Sequence, residues 1–152
     1  MKEYQSQQIR NVALVGHQSS GKTSLAEALL FNTGATTRMG RIEEKNTVSD
    51  FEDEEKARGL SLSTSLIPLE FNEHKINVLD APGYTDFQGE MKNAIRVVDA
   101  VIVVIDAVSG VEVGTEVAWE YARAYQQPII VIINKIDREN ADYEGTLEQL
   151  RS

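Results

Sequence analysis

At 152 residues the chain has the length of one domain, enough for one sizeable core. Its 15 Lys and Arg against 24 Asp and Glu leave a formal net charge of −9, which argues against a general polyanion-binding surface and against direct nucleic-acid binding by this segment. No cysteine is present, so disulfides and cysteine-based metal sites are excluded. The longest apolar run, Ala100 to Ile105, is too short to span a bilayer, and Met1 to Arg10 is polar with no signal-peptide core. The expectation is a soluble, cytoplasmic protein without a membrane partner.

In chain order, Val12 to Val15 predicts a buried strand, and Lys22 to Asn32 a helix with Leu25, Ala28 and Leu29 on one face, stopped at Thr33-Gly34. From Ala35 to Gly59 the pattern is lost in a polar, acidic stretch that reads as a long loop (Glu52, Asp53, Glu54 and Glu55 lie within it). Its composition predicts mobility over Thr36 to Arg58 when no γ-phosphate is bound. Leu62 to Phe71 and Ile76 to Leu79 predict an antiparallel hairpin turning at Asn72-Glu73-His74-Lys75. A helix over Gln88–Val97, a strand over Ala100–Ile105, a helix over Val113–Tyr125, a strand over Ile129–Ile133 and a helix over Tyr143–Leu150 complete the reading. This alternation predicts an α/β fold with a mostly parallel sheet, one antiparallel strand and helices on both faces.

Three motifs each end an apolar run. Gly16-His17-Gln18-Ser19-Ser20-Gly21-Lys22-Thr23 fits the phosphate-loop pattern G-x-x-x-x-G-K-[ST]. Such a loop leaves a buried strand and enters a helix N-terminus, where unpaired N–H groups and the positive helix end meet phosphates. Lys22 would reach the β- and γ-phosphates and the Thr23 hydroxyl would bind Mg²⁺. Asp80-Ala81-Pro82-Gly83 follows the strand Ile76 to Leu79: Asp80 would support the Mg²⁺ site and the Gly83 N–H the γ-phosphate. Asn134-Lys135-Ile136-Asp137 follows the last strand, where the Asp137 carboxylate can accept from the ring N–H and exocyclic amine of guanine. Adenine offers no such donor pair, so an ATP site would leave Asp137 unpaired. The implied ligands are GTP and GDP with Mg²⁺. A P-loop ATPase is the alternative that this third motif opposes.

These residues resemble the translational GTPases, most closely the elongation factor G family. Asp80-Ala81-Pro82-Gly83-Tyr84-Thr85-Asp86-Phe87 is similar to that family's DTPGHVDF, and Arg58-Gly59-Leu60-Ser61-Leu62-Ser63-Thr64 to its RGITIT. Asp106 to Val111 and Asn134 to Arg138 continue the likeness. The resemblance implies a P-loop GTPase fold, with the chain forming the N-terminal portion of a GTP-binding domain, truncated before its last strand and helix and without the later domains. It implies Mg²⁺-dependent GTP hydrolysis, slow in isolation and stimulated by the ribosome as partner. Ser61 stands where the family has its switch threonine and keeps a hydroxyl for Mg²⁺. Tyr84 stands where the family has the histidine that places the attacking water. Gln18-Ser19 also departs from the usual phosphate loop, and Tyr84 combined with Ser61 looks like the divergent elongation factor G-like paralogues. His17 matches a phosphate-loop histidine and takes a structural role here, while His74 is read as a solvated turn residue. Two further readings stand beside this one: a GTP-binding switch with negligible hydrolysis, and a release-factor or ribosome-protection type of GTPase. The reading also leaves Ile129 to Ile133 as an uncovered apolar edge.

Overall fold

The computed structural model describes residues 2–49, 54–55 and 61–152. Part of the switch motif (Arg58-Gly59-Leu60) and the acidic Glu52 and Asp53 lie outside the described residues. Five strands form one sheet in the order β2-β3-β1-β4-β5, namely β1 (Ile9–Val15), β2 (Ser65–Phe71), β3 (His74–Asp80), β4 (Ala100–Asp106) and β5 (Ile129–Asn134). β1 pairs in parallel with β3 and β4, β4 pairs in parallel with β5, and only β2 runs antiparallel, against β3. The α/β expectation holds, including its single antiparallel strand.

Alternation along the strands sorts the core onto two faces, as a period of two requires. Ala13 and Val15 of β1 join Val101, Val103 and Ile105 of β4 under α2 (Gln88–Arg96) and α3 (Val113–Ala124), whose Met91, Ala94, Ile95, Ala118 and Ala122 complete that layer. Leu14 points to the other face, where Ile67, Leu69, Val78 and Val104 pack under Ala26 and Leu30 of α1 (Lys22–Asn32). The last helix, α4 (Tyr143–Arg151), starts at Asp142, whose carboxylate accepts the Gly145 N–H at 2.9 Å, and it lays Leu150 against the first layer. Among the described residues, no helix is long and apolar enough to cross a membrane.

Several boundaries differ from the sequence reading. β1 begins at Ile9, three residues early, because its start pairs with Lys75, Ile76 and Asn77 of β3 despite its polar composition. The hairpin turn is only Asn72-Glu73, with φ of 45° and 63°, as the two-residue turns that suit strand twist require. His74 therefore opens β3, exposed, with its Nδ1 2.7 Å from the Asn72 carbonyl. β2 begins at Ser65 and not Leu62, because the backbone of Leu62, Ser63 and Thr64 is bonded to side chains of Glu55 and Glu90.

On α1 the fully buried residues include Ala26, Glu27 and Leu30, whereas Leu25, Ala28 and Leu29 are only partly buried. The helix is covered on a second side by residues 40–48, which a one-sided apolar stripe does not anticipate. Ile130 of the edge strand β5 is 53% exposed, in keeping with the uncovered edge expected there.

Candidate functional site

The four parallel strands all end at one edge of the sheet, and the register sets their ends side by side. Leu14 lies opposite Asp80, Val15 opposite Val103, and Asp106 opposite Asn134. The three motifs thus meet at the carboxyl ends of the strands, where open α/β sheets bind ligands. A cavity of about 350 Å³ opens there. Gln18, Ser19, Gly21, Lys22 and Thr23 of the phosphate loop line it, with Ala81, Gly83 and Tyr84 of the second motif, Lys135 of the third, and Ser61.

The phosphate loop is held from several directions. Lys22 is buried and donates its ammonium to the carbonyls of Gly16 at 3.2 Å and His17 at 2.7 Å. Burial lowers its pKa to about 8, the Asp80 carboxylate opposing part of that shift. Gly83 faces it so closely that a Cβ there would lie 2.5 Å from Lys22 Nζ and 2.8 Å from the Gln18 backbone nitrogen. Only glycine lets the two loops approach in this way.

His17 reaches across to α3: its Nδ1 accepts the Gly114 N–H at 3.3 Å while Nε2 lies 3.4 Å from a Glu112 carboxylate oxygen. Ser20 is buried behind the loop.

Thr23 donates its hydroxyl to Asp80 Oδ2 at 2.8 Å, and both residues are buried. A hydroxyl and a carboxylate side by side beneath a phosphate loop are hard oxygen donors, which suits Mg²⁺. That ion keeps several waters and takes one or two protein groups together with substrate phosphates. Among the described residues, no cluster of three His, Cys, Asp or Glu side chains forms an all-protein cation cage.

The third motif braces the first. Asn134 donates its side-chain amide to the Ser20 carbonyl at 2.9 Å. The Lys135 ammonium bonds the Ser19 carbonyl and Asp106 Oδ2, each at 2.6 Å. Lys135 takes a φ of 59°, which turns the chain sharply after β5. Ile136 and Asp137 beyond it are exposed, and Asp137 stands outside the wall of the cavity. Pro82 is buried and also lies off that wall.

Sequence reasoning named Asp106 and Arg138 only within segments of family likeness, with no role of their own, and did not name Ile42 or Glu43. Arg138, Ile42 and Glu43 line the cavity, and Asp106 anchors Lys135. Burial works to raise the Asp106 carboxyl, but the Lys135 ammonium and the Val108 N–H outweigh it and hold it below its ordinary value. The available signal was its position, since a carboxylate ending β4 repeats the placement of Asp80 at the end of β3. Ile42 and Glu43 carry no local signal, because they come to the cavity only through the path of a loop.

Comparison with known proteins agrees with this geometry. The family model described as elongation factor Tu GTP binding domain matches residues 7–152. The chain is 38% identical over 141 residues to the mitochondrial ribosome-releasing factor 2 of Candida albicans, covering 93% of this chain and 18% of that protein. It is 39% identical over 146 residues to elongation factor G of Dehalococcoides mccartyi, covering 96% and 21% respectively. The chain thus spans about a fifth of the length of these relatives. A crystal structure of a protein from Thermus thermophilus superposes with a TM-score of 0.91 at 47% identity, covering 95% of this chain and 22% of that one. A bacterial selenocysteine-specific elongation factor shares the fold, with a TM-score of 0.72 at 24% identity over 93% of this chain and 22% of its own.

Proposed function

The chain belongs to the elongation factor Tu GTP binding domain family, and on that premise we propose that it binds GTP and GDP with Mg²⁺ and hydrolyses GTP as the switch domain of an elongation factor G-like ribosomal factor. One observation carries this reading. The phosphate loop and the Asn134 to Asp137 loop leave different strands yet are tied together through the Ser19 and Ser20 carbonyls. The two loops therefore stand at one edge of the sheet, which supports a phosphate cradle beside a loop that reads guanine.

In this reading the backbone N–H groups of Gln18 to Thr23 and the Lys22 ammonium hold the β- and γ-phosphates, and Asp137 accepts from guanine. The Thr23 and Ser61 hydroxyls and Asp80 would hold Mg²⁺, which would neutralise charge on the phosphate oxygens. The anionic phosphates stabilise the charged form of Lys22 against its burial. Water attacks the γ-phosphorus in line, the bond to the β–γ bridging oxygen breaks, and GDP and inorganic phosphate leave. Lys22 and the Gly83 N–H meet the charge on the phosphoryl oxygens, so catalysis is mainly positioning and electrostatics.

Tyr84 is half-buried at the cavity wall beside Gly83. A neutral phenol is a poor base, so its hydroxyl orients water at most. Intrinsic turnover is accordingly slow, and acceleration comes from the ribosome. We place the protein in the cytoplasm, where that partner is met.

The test is phosphate release from GTP with and without ribosomes, together with competition by ATP. Slow GTP-specific turnover that ribosomes accelerate supports the proposal. Equal binding of ATP and GTP overturns the nucleotide assignment, and turnover that ribosomes leave unchanged overturns the partner.

A further inference from the structure

Glu27 is a charged residue on the wrong side of a core helix: it lies in α1, one turn after Thr23, and is 1% exposed. A carboxylate buried this deeply is costly unless its oxygens accept hydrogen bonds. Both do, and both donors come from one distant loop. Oε2 accepts the Gly40 N–H at 3.0 Å and Oε1 accepts the Val48 N–H at 2.5 Å. One carboxylate thus joins the two ends of the 40–48 segment.

Between those ends the chain closes on itself. The Arg41 N–H donates to Asn46 Oδ1 at 2.7 Å, and the N–H groups of Glu44 and Lys45 donate to the carbonyls of Arg41 and Ile42 at 3.1 and 3.0 Å. The middle of this turn supplies Ile42 and Glu43 to the nucleotide cavity. Gly40 is matched to its role, since a Cβ there would stand 2.5 Å from Glu27 Oε2. Just beyond Val48, the Ser65 hydroxyl donates to the Ser49 carbonyl at 2.6 Å and fixes the exit of the segment to β2.

We propose that Glu27 is a positioning residue for the nucleotide: its two oxygens hold the 40–48 turn so that Ile42 and Glu43 form one wall of the cavity. The helix that starts at the phosphate loop therefore also sets the opposite side of the site. This inference rests on the nucleotide reading above.

The experiment follows single-amide hydrogen exchange in the nucleotide-free protein and the release of a fluorescent GDP analogue, in Glu27→Gln and in Gly40→Ala. Glu27→Gln replaces one acceptor by an amide donor, and Gly40→Ala keeps the glutamate but pushes on Oε2 and on the Asn46 carbonyl. Both variants should exchange the Gly40-position and Val48 amides at least about tenfold faster, with the sheet amides unchanged. Both should release GDP about tenfold faster, raising KM for GTP while kcat holds. Gly40→Ala alters a loop residue, so it keeps the test open if Glu27→Gln does not fold. Unchanged exchange at both amides overturns the hold. Faster exchange with unchanged GDP release in both variants overturns its role toward the nucleotide and leaves the binding reading standing. A wild-type protein that keeps slow exchange but binds no guanine nucleotide overturns both.

Discussion

The two halves of the site are built on different principles. On the phosphate side Lys22, Thr23 and Asp80 are buried and bonded to protein groups within 3.2 Å. On the base side the inward members, Asn134 and Lys135, spend their hydrogen bonds on the phosphate loop, and Asp137, the residue proposed to read guanine, is left exposed. Phosphates are common to all nucleotides, so a rigid cradle of backbone and lysine gives affinity without choice. In the proposed function the base is where choice is made, by a carboxylate that gains its partners only from guanine. Rigidity and selectivity are thus assigned to separate loops, joined by Lys135.

Breaking the phosphate side should have the largest effect. Lys22→Ala is expected to weaken GTP and GDP about 10²-fold or more, by loss of a charge-assisted contact in a dry site. ATP competition should remain as poor as before, and equilibrium titration checks both. Next comes the base side, where Asp137→Asn should weaken guanine nucleotides by about 10²-fold and improve xanthine nucleotides, whose exocyclic carbonyl in place of the amine can accept from the asparagine amide. Because Asp137 is exposed, the thermal transition of the free protein should hardly move, which differential scanning calorimetry reads directly. If Asp137→Asn weakens ATP and GTP alike, the division between the two halves fails.

The brace between the halves should be worth less than either. Asp106→Asn keeps the acceptor for the Val108 N–H but removes the charge facing Lys135, and should weaken GTP about tenfold through misplacement of Lys135. The Asp106 pKa is depressed in the folded state. Its contribution to stability is therefore full above about pH 4 and is lost as pH falls through the folded value. The variant should flatten the acid limb of a denaturation profile.

The smallest effect is expected at Tyr84. Tyr84→Phe removes only the hydroxyl from an otherwise intact cavity wall, so intrinsic GTP turnover should change by no more than about twofold. A loss of tenfold or more at unchanged GTP affinity would make the phenol a catalytic residue.

The sequence by itself determined the α/β class and the strand after which each motif falls, and it supplied the residues proposed to hold phosphate and base. These are properties of local order, since an apolar run followed by G-x-x-x-x-G-K-[ST] or N-K-x-D dictates its own turn chemistry. Even there, composition misjudged edges: the polar start of β1 is strand because β3 pairs with it, and Leu62 to Thr64 is not strand because Glu55 and Glu90 hold its backbone. Only the tertiary structure decided that Asp106 faces Lys135, that His17 reaches α3, and that Glu27 is buried. A glutamate on a helix reads as a solvated face until a loop closes over it and supplies two N–H donors. Such donors come from residues 13 and 21 positions away, on a segment without periodicity, and no local pattern encodes that encounter. Hydrogen bonds between distant segments depend on how the whole chain packs, and that is settled in three dimensions.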